Sequence, residues 1–304
     1  MKLSLVLVLF AAICLVCSGN WRWRHGRRHH GGWRQGGWRR GGWRHGGWRR
    51  GGWRQWRSNH WRQCQNKMEG LTEQRNKLKK ELDQCLPSSP ISDCWDVKTR
   101  QNQNRDGTYT IDSPAGGKMN VRCDMTTDNG GWLTFVRRVK GGVDFNRPWK
   151  DYKRGFGDLA GDFWLGNDFL HMFTAAKDVE MRVDMTDQDG NHAYAVYGSL
   201  HVDDEAHAYS IHVSGTYSGN AGDAFRPNST RKEKFQNNRA FRTYDRDNEF
   251  GCAKSHKGGF WYNNCFFVLA TGPFNSIRGI IWFTWRRHHA LKEITMSIRP
   301  KGVV

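Results

Sequence analysis

The sequence predicts an α+β fold dominated by antiparallel sheet over residues 92–304, preceded by a short coiled coil and a low-complexity tail. Three observations predict it. Val179, Met181, Val183 and Met185 alternate with Glu180, Arg182 and Asp184 up to an Asp187-Gln-Asp-Gly190 turn. Alternation then resumes through Tyr194, Val196, His201 and Val202, the signature of a β-hairpin. Charge is segregated. The protein has 48 basic and 29 acidic side chains and a net charge of +19, yet 13 of the basic groups are arginines between Trp21 and Arg62, where Asp, Glu and Lys do not occur. With Lys2 also set aside, the remainder carries only +5. Hydrophobic residues make up 37%, below the usual globular share, so part of the sequence lies outside any core.

Residues 1–19 read as a secretory leader. Lys2 supplies the positive end, Leu3 to Val16 is almost unbroken apolar sequence, and cleavage is expected after Gly19. Cys14 and Cys17 leave with it, so six of the eight cysteines remain in an oxidising compartment and three disulfides are expected. No apolar run beyond the leader is long enough to span a bilayer, which excludes a multi-span membrane protein.

Residues 20–63 form the tail, expected to be disordered. Five copies of Gly-Gly-Trp-Arg-X run from Gly31 to Gln55, and residues 20–62 hold 9 of the 16 Trp and 11 of the 35 Gly. Paired glycines every five residues make helix or strand entropically costly. Arginine attracts anionic surfaces, and indole partitions to membrane interfaces or stacks on sugar and base faces. Two readings stand: a solvated spacer, or a peripheral anchor on an anionic lipid, bacterial envelope or sulfated glycan. Charge confined to one tail argues against a uniformly cationic nucleic-acid fold, and no specific nucleic-acid partner is expected.

Residues 64–86 carry a heptad pattern with Cys64, Leu71, Leu78 and Cys85 at d and Met68, Arg75 and Leu82 at a, ended by Pro87. Cys64 and Cys85 lie about 31 Å apart if the segment is one helix. They cannot then bond to each other, and interchain disulfides in a homo-oligomer follow. The other reading is an amphipathic helix packed on its own domain.

Within residues 92–304 a second buried strand is expected over Gly279–Trp285 and a short helix over Trp164–Phe173. No catalytic constellation occurs. The eight histidines outside the tail lack metalloprotease spacing and there is no nucleophile elbow, so an enzyme is not expected. Asp184, Asp187 and Asp189 are better explained by a hairpin turn than by acid–base work. Asn228-Ser-Thr230 is a glycosylation sequon.

The residues of this region resemble the fibrinogen C-terminal (fibrinogen-related) domain of ficolins, tachylectins and fibrinogens. The likeness rests on Asp93-Cys-Trp-Asp96, Val121-Arg-Cys-Asp-Met125, Gly130-Gly-Trp132, Asp162-Phe-Trp-Leu-Gly-Asn167, Trp282, Trp285 and Ile298-Arg-Pro300, and extends over nearly all of 92–304. It implies a small N-terminal subdomain, a central twisted antiparallel sheet, and a loop-rich C-terminal subdomain with a calcium site beside a ligand pocket. It implies disulfides Cys94–Cys123 and Cys252–Cys265, which leaves Cys64 and Cys85 for interchain use.

Spacing alone reads Asp245-Arg-Asp247-Asn-Glu249 as a solvated acidic turn. The resemblance raises calcium above that reading, held by Asp245, Asp247 and Glu249 with carbonyls near Phe250 and Gly251. Glu249 replaces the usual last Asp and the loop to Cys252 is shorter than in ficolins, so the affinity is expected to be reduced. The ligand positions carried over are His256, Phe266, Ile277, Arg278 and His289, with Trp282 among the partly retained aromatics (Phe260, Trp261, Tyr262), most of which read as core. The tyrosines that hold an acetyl group in relatives are absent. The rim is basic instead: Lys254, Lys257, Arg278, Arg286, Arg287, His288 and His289. Acidic sugars are therefore expected to bind better than neutral N-acetylated ones, and more tightly below about pH 6.5 as rim histidines protonate. The function expected is that of a secreted oligomeric lectin for glycans or anionic microbial surfaces. The alternative is an extracellular structural or adhesive protein in which the tail provides cohesion.

Overall fold

The computed structural model describes residues 51–85, 89–226, 234–277 and 279–303, and divides into two compact units, Met1–Ser89 and Pro90–Val304. The leader, the tail up to residue 50, Asn228 and Arg278 lie outside the described residues.

Among the described residues, the N-terminal unit contains one helix, Gly51–Cys85. It reaches back into residues 51–63, which the glycine repeats assign to the tail. The reason is local: after Gly52 there is neither Gly nor Pro until Gly70, and Gln, Arg, Lys, Glu and Leu are good helix formers. Cys64, Met68, Leu71 and Thr72 are half-buried along it, while Leu78 is 61% exposed. Lys77 and Glu81 pair across one turn at 4.0 Å, a contact worth about 0.2–0.5 kcal/mol. The Cys85 side chain is outside the described residues.

The C-terminal unit is built on strands β1 (Gly107–Asp112), β2 (Lys118–Asp124), β3 (Trp132–Arg138), β4 (Phe156–Gly157), β5 (Phe163–Trp164), β6 (Val179–Thr186), β7 (His192–Val202) and β8 (Ile211–Gly219), then β9 (Phe241–Arg242), β10 (Phe260–Trp261), β11 (Val268–Leu269), β12 (Ile281–Trp282) and β13 (Glu293–Pro300). The main sheet runs β1-β2-β3-β13-β6-β7-β8, with β5 and β4 added beside β3. The last strand, β13, is inserted antiparallel between β3 and β6, so Met296 lies opposite both Val136 and Val183. Burial alternates strictly along β6, the hydrophobic members facing the core. The predicted hairpin is thus present, joined at Asp187–Gly190. Asp187 accepts the backbone N–H groups of Asp189 and Asn191 (3.0 and 2.8 Å), and Gly190 adopts a φ of 84° that a side chain would resist. Asp187 and Asp189 are thus turn residues, whereas Asp184, read with them, lies on β6 opposite Tyr194, where its carboxylate accepts from the Arg182 guanidinium.

Two elements differ from expectation. The helix expected over Trp164–Phe173 forms as Asn167–Ala176, because Phe163–Trp164 is spent on β5 and the Trp164 indole is pinned to Tyr152 O and Asn167 Oδ1 (3.1 and 2.9 Å). Of the strand expected over Gly279–Trp285, only Ile281–Trp282 pairs, and Phe283–Arg286 closes into one helical turn. The Trp282 indole and the Thr284 hydroxyl both donate to the carbonyls of Ala221 and Gly222, which draws the backbone out of the strand path.

The core continues from the sheet into the C-terminal segment through a set of rings. Trp164 meets Phe241 at 5.3 Å and Trp261 at 5.7 Å, and Tyr152 meets Phe241 at 5.1 Å. The fully buried Tyr152 hydroxyl donates to Phe145 O and accepts the Gly259 N–H. Burial pushes this phenol well above its ordinary pKa. Both disulfides implied by the resemblance are present, Cys94–Cys123 and Cys252–Cys265, each with a Cα–Cα distance of 5.6 Å.

Candidate functional site

The segment from Lys234 to Leu291 has few and short strands, so other bonds must shape it. Gln236, fully buried, takes the N–H groups of Phe267 and Val268 on Oε1 (3.1 and 3.0 Å) and donates Nε2 to Val268 O. Asn248 donates to Asn263 O at 2.8 Å and accepts from the Phe250 and Cys252 N–H groups. Arg138, buried at the end of β3, donates Nη1 to Ala270 O and Gly272 O (3.1 and 3.0 Å) and lies 3.8 Å from Asp162. Burial draws its guanidinium down to about 10, with Asp162 opposing. The Cys252–Cys265 bridge closes the segment, and the Asn264–Cys265 peptide is cis.

These ties surround a hollow of about 540 Å³, within the range of ligand pockets. Phe266, Phe267, Ile281 and Phe283 make its apolar part, and Lys234, His256, Asn264 and His288 bring the polar groups. The rings are ordered by each other. Phe266 meets His256 edge-on at 4.7 Å, and Phe267 stacks on Phe283 at 4.6 Å and 7°. Ile277, 88% exposed, stands on the rim. Among the described residues, such a site has an apolar floor, an amide and three cationic or imidazole groups, and none of its lining residues is a carboxylate. It suits a ligand with an apolar face and a negative charge.

Of the sequence-derived ligand residues, His256, Phe266 and Ile277 are brought together here. His289 lines a smaller adjoining hollow of about 360 Å³ that also uses Ile277 and His288. Trp282 is not a lining residue. It is fully buried, with its indole bonded to backbone, so it belongs to the core, as do Phe260, Trp261 and Tyr262. Arg278 lies outside the described residues. Arg286 leaves the basic rim as well, because its guanidinium reaches Asp187 at 2.6 Å. Burial raises the Asp187 pKa, but bonds from Asn191 and Arg286 outweigh it and hold the carboxyl at about 2. Lys234, Asn264, Phe267, Ile281 and Phe283 were missed by sequence reasoning. Spacing from the cysteines finds Asn264, immediately before Cys265, but no local signal marks Lys234.

The acidic run has a structural share in this region. Asp245 Oδ1 accepts the Trp149 N–H and the Thr243 hydroxyl (2.9 and 2.7 Å), which fixes the start of the helix Trp149–Arg154. Asp247 accepts the N–H groups of Ala253 and Lys254 (3.0 and 2.9 Å), at the start of the helix Cys252–His256. Glu249 and Phe250 are exposed on the same turn, and Gly251 has a φ of 62°. Among the described residues no group of three or more His, Cys, Asp or Glu side chains is arranged to hold a metal ion. The donors fit a hard cation in part: Asp247 Oδ2 accepts one bond and keeps lone pairs, and the neighbouring donors are oxygens.

The family model described as the C-terminal globular domain of the fibrinogen beta and gamma chains matches residues 91–301. The human fibrinogen alpha chain is 39% identical over 240 residues, 70% of this protein and 27% of that one. Ryncolin-4 of Cerberus rynchops is 36% identical over 230 residues, 72% of this protein and 64% of the other, and mouse tenascin is 42% identical over 205 residues, 64% and 9%. The protein spans less than two thirds of the length of each. Among solved structures, the fibrinogen-like globe domain of human ANGPTL2 superposes with a TM-score of 0.63 at 32% identity, covering 69% of this protein and 99% of that domain. Lamprey fibrin D-dimer, complexed with the peptide Gly-His-Arg-Pro-amide, has a TM-score of 0.63 at 29% identity, covering 83% and 89%.

Proposed function

The protein belongs to the family of the C-terminal globular domain of the fibrinogen beta and gamma chains, and on that premise we propose that it is a secreted, oligomeric recognition protein that binds glycans or anionic microbial surface components. It acts by binding, without catalysis. One observation carries the reading: His256, Phe266 and Ile277, far from adjacent in sequence, line one hollow with Lys234, Asn264 and His288, and no carboxylate joins them among the described residues. The two disulfides and the apolar N-terminus support secretion. Cys64 and Cys85 on one helix support interchain bridges. The tail adds a second, less selective contact with anionic surfaces. Calcium, weakly held by Asp247 and Glu249 with carbonyls of Phe250 and Gly251, would brace the turn that leads into Cys252.

The test is isothermal titration of the full-length protein with glucuronic acid and with N-acetylglucosamine. The acidic sugar is expected to bind more tightly. His256→Ala is expected to remove that preference, and because the tail is the same in both proteins, the difference reports on the globe. Preference for N-acetylglucosamine, or no change in the variant, contradicts the reading. The adhesive alternative is favoured by the Gly/Trp/Arg tail, and it predicts self-assembly that soluble sugar leaves intact, whereas the lectin reading predicts agglutination that sugar abolishes.

A further inference from the structure

Two hollows on the globe share a wall. The larger is the one just described, and the smaller, about 360 Å³, lies across Ile277 and His288, which line both. Any ligand that fills the first and continues over this wall enters the second.

The second hollow is held by long-range bonds. Its Gln188 comes from the β6–β7 turn, while His288, His289 and Ala290 come from the stretch before β13. The Asp187–Arg286 ion pair, at 2.6 Å, joins these two stretches beside the hollow. Gln188 Nε2 donates to Ala290 O at 3.4 Å, and the Lys292 N–H bonds to Thr186 O at 2.9 Å. The low pKa of Asp187 keeps that ion pair charged at any physiological pH. The two hollows therefore keep a fixed spacing.

Its chemistry is that of a sugar subsite. A pyranose presents an apolar C–H face and a girdle of hydroxyls. Ile277, 88% exposed, offers a branched alkyl surface for the face. The amides of Gln188 and Asn275 donate and accept, and the imidazoles of His288 and His289 add donors. Among the described residues no carboxylate lines either hollow, and those residues offer a ligand with acidic groups along its length no repulsion.

Resting on the function proposed above, we infer that the recognition surface is bipartite: the hollow of Gln188, Asn275 and His289 is a second subsite, which takes the neighbouring unit of an acidic oligosaccharide whose first unit occupies the hollow of Lys234, His256 and Phe266. Ile277 and His288 contact both units. The specificity is for an oligosaccharide of at least two sugars.

Calorimetric titration of the full-length protein tests this with two probes, glucuronic acid and the disaccharide of glucuronic acid and N-acetylglucosamine. The wild type is expected to bind the disaccharide on the order of tenfold more tightly. The Asn275→Ala, His289→Ala double variant, altered at two exposed positions, is expected to lose that gain and to bind glucuronic acid unchanged. Ile277→Ser is expected to weaken both. Equal affinity of the wild type for both probes, or a double variant that retains the gain, overturns the second subsite while the first hollow stands. Failure of the wild type to bind either probe overturns this inference together with the reading on which it rests.

Discussion

The sheet around β13 and the segment from Lys234 to Leu291 belong to one globe and are stabilised in different ways. In the sheet, strands of seven to eleven residues pair along their length, and the alternating hydrophobic faces of β6 and β7 fix their register. In the site segment the strands are two residues long. There, single polar side chains reach backbone groups far away in sequence: Gln236 to Phe267 and Val268, Asn248 to Asn263, Arg138 to Ala270 and Gly272. The difference teaches that a regular sheet distributes its stability over many equivalent contacts, whereas the ligand surface depends on a few bonds, each of which holds a loop.

The sharpest way to break the comparison is at Arg138, where sheet and segment meet. Arg138→Leu leaves Asp162 buried without its cation and two carbonyls without their donor, and a loss of about 3–5 kcal/mol in urea unfolding is expected. A loss below about 1 kcal/mol would place Arg138 with ordinary surface pairs. Next, Met296→Ala opens a cavity at the centre of the sheet and is expected to cost about 3 kcal/mol in the same assay while leaving affinity for glucuronic acid unchanged. Gln236→Ala should do the reverse. It strands the N–H groups of Phe267 and Val268, costs about 2 kcal/mol, and lowers sugar affinity by more than the Met296 variant does. Equal effects of the two variants on binding would remove the distinction.

The smallest effect is in pH. Asp187 is held at about 2 in the fold, below the roughly 3.9 of an unfolded aspartate. Between these values the unfolded state binds more protons, so stability rises with pH there. The contribution is complete above about pH 4 and is lost as the pH falls through about 2. Thermal melts across that range should show a shallower slope in Asp187→Asn than in the wild type, and identical slopes would mean that the Arg286 contact does not act on the carboxyl.

The same contrast explains what could be read in advance. The β6–β7 hairpin was legible because Val179, Met181, Val183 and Met185 repeat with the period of a strand. The disulfides followed from the resemblance to the fibrinogen C-terminal domain, and three pocket residues from matching its ligand positions by spacing from Cys252 and Cys265. The extent of β12 was not legible, because it is set by where the Trp282 indole and the Thr284 hydroxyl find carbonyls, and periodicity carries no such information. Trp282 was misplaced for the same reason: an aromatic residue at a ligand-like spacing packs inward once its N–H finds a buried acceptor. Lys234 had no local signal at all, since its stretch is tied to the pocket by contacts distant in sequence, Gln236 to Phe267 and Val268 and Asn263 to Phe235 O.

The most direct test uses isoleucine methyl signals of the full-length protein during titration with glucuronic acid. Ile277 and Ile281 line the first hollow, while Ile111, Ile211 and Ile294 are buried on β1, β8 and β13. Binding in the hollow predicts saturable shifts at Ile277 and Ile281 and none at the three sheet positions, and His256→Ala should abolish them. Saturable binding with Ile277 and Ile281 unmoved would show that the sugar is recognised elsewhere, and would contradict the assignment of this hollow as the recognition site.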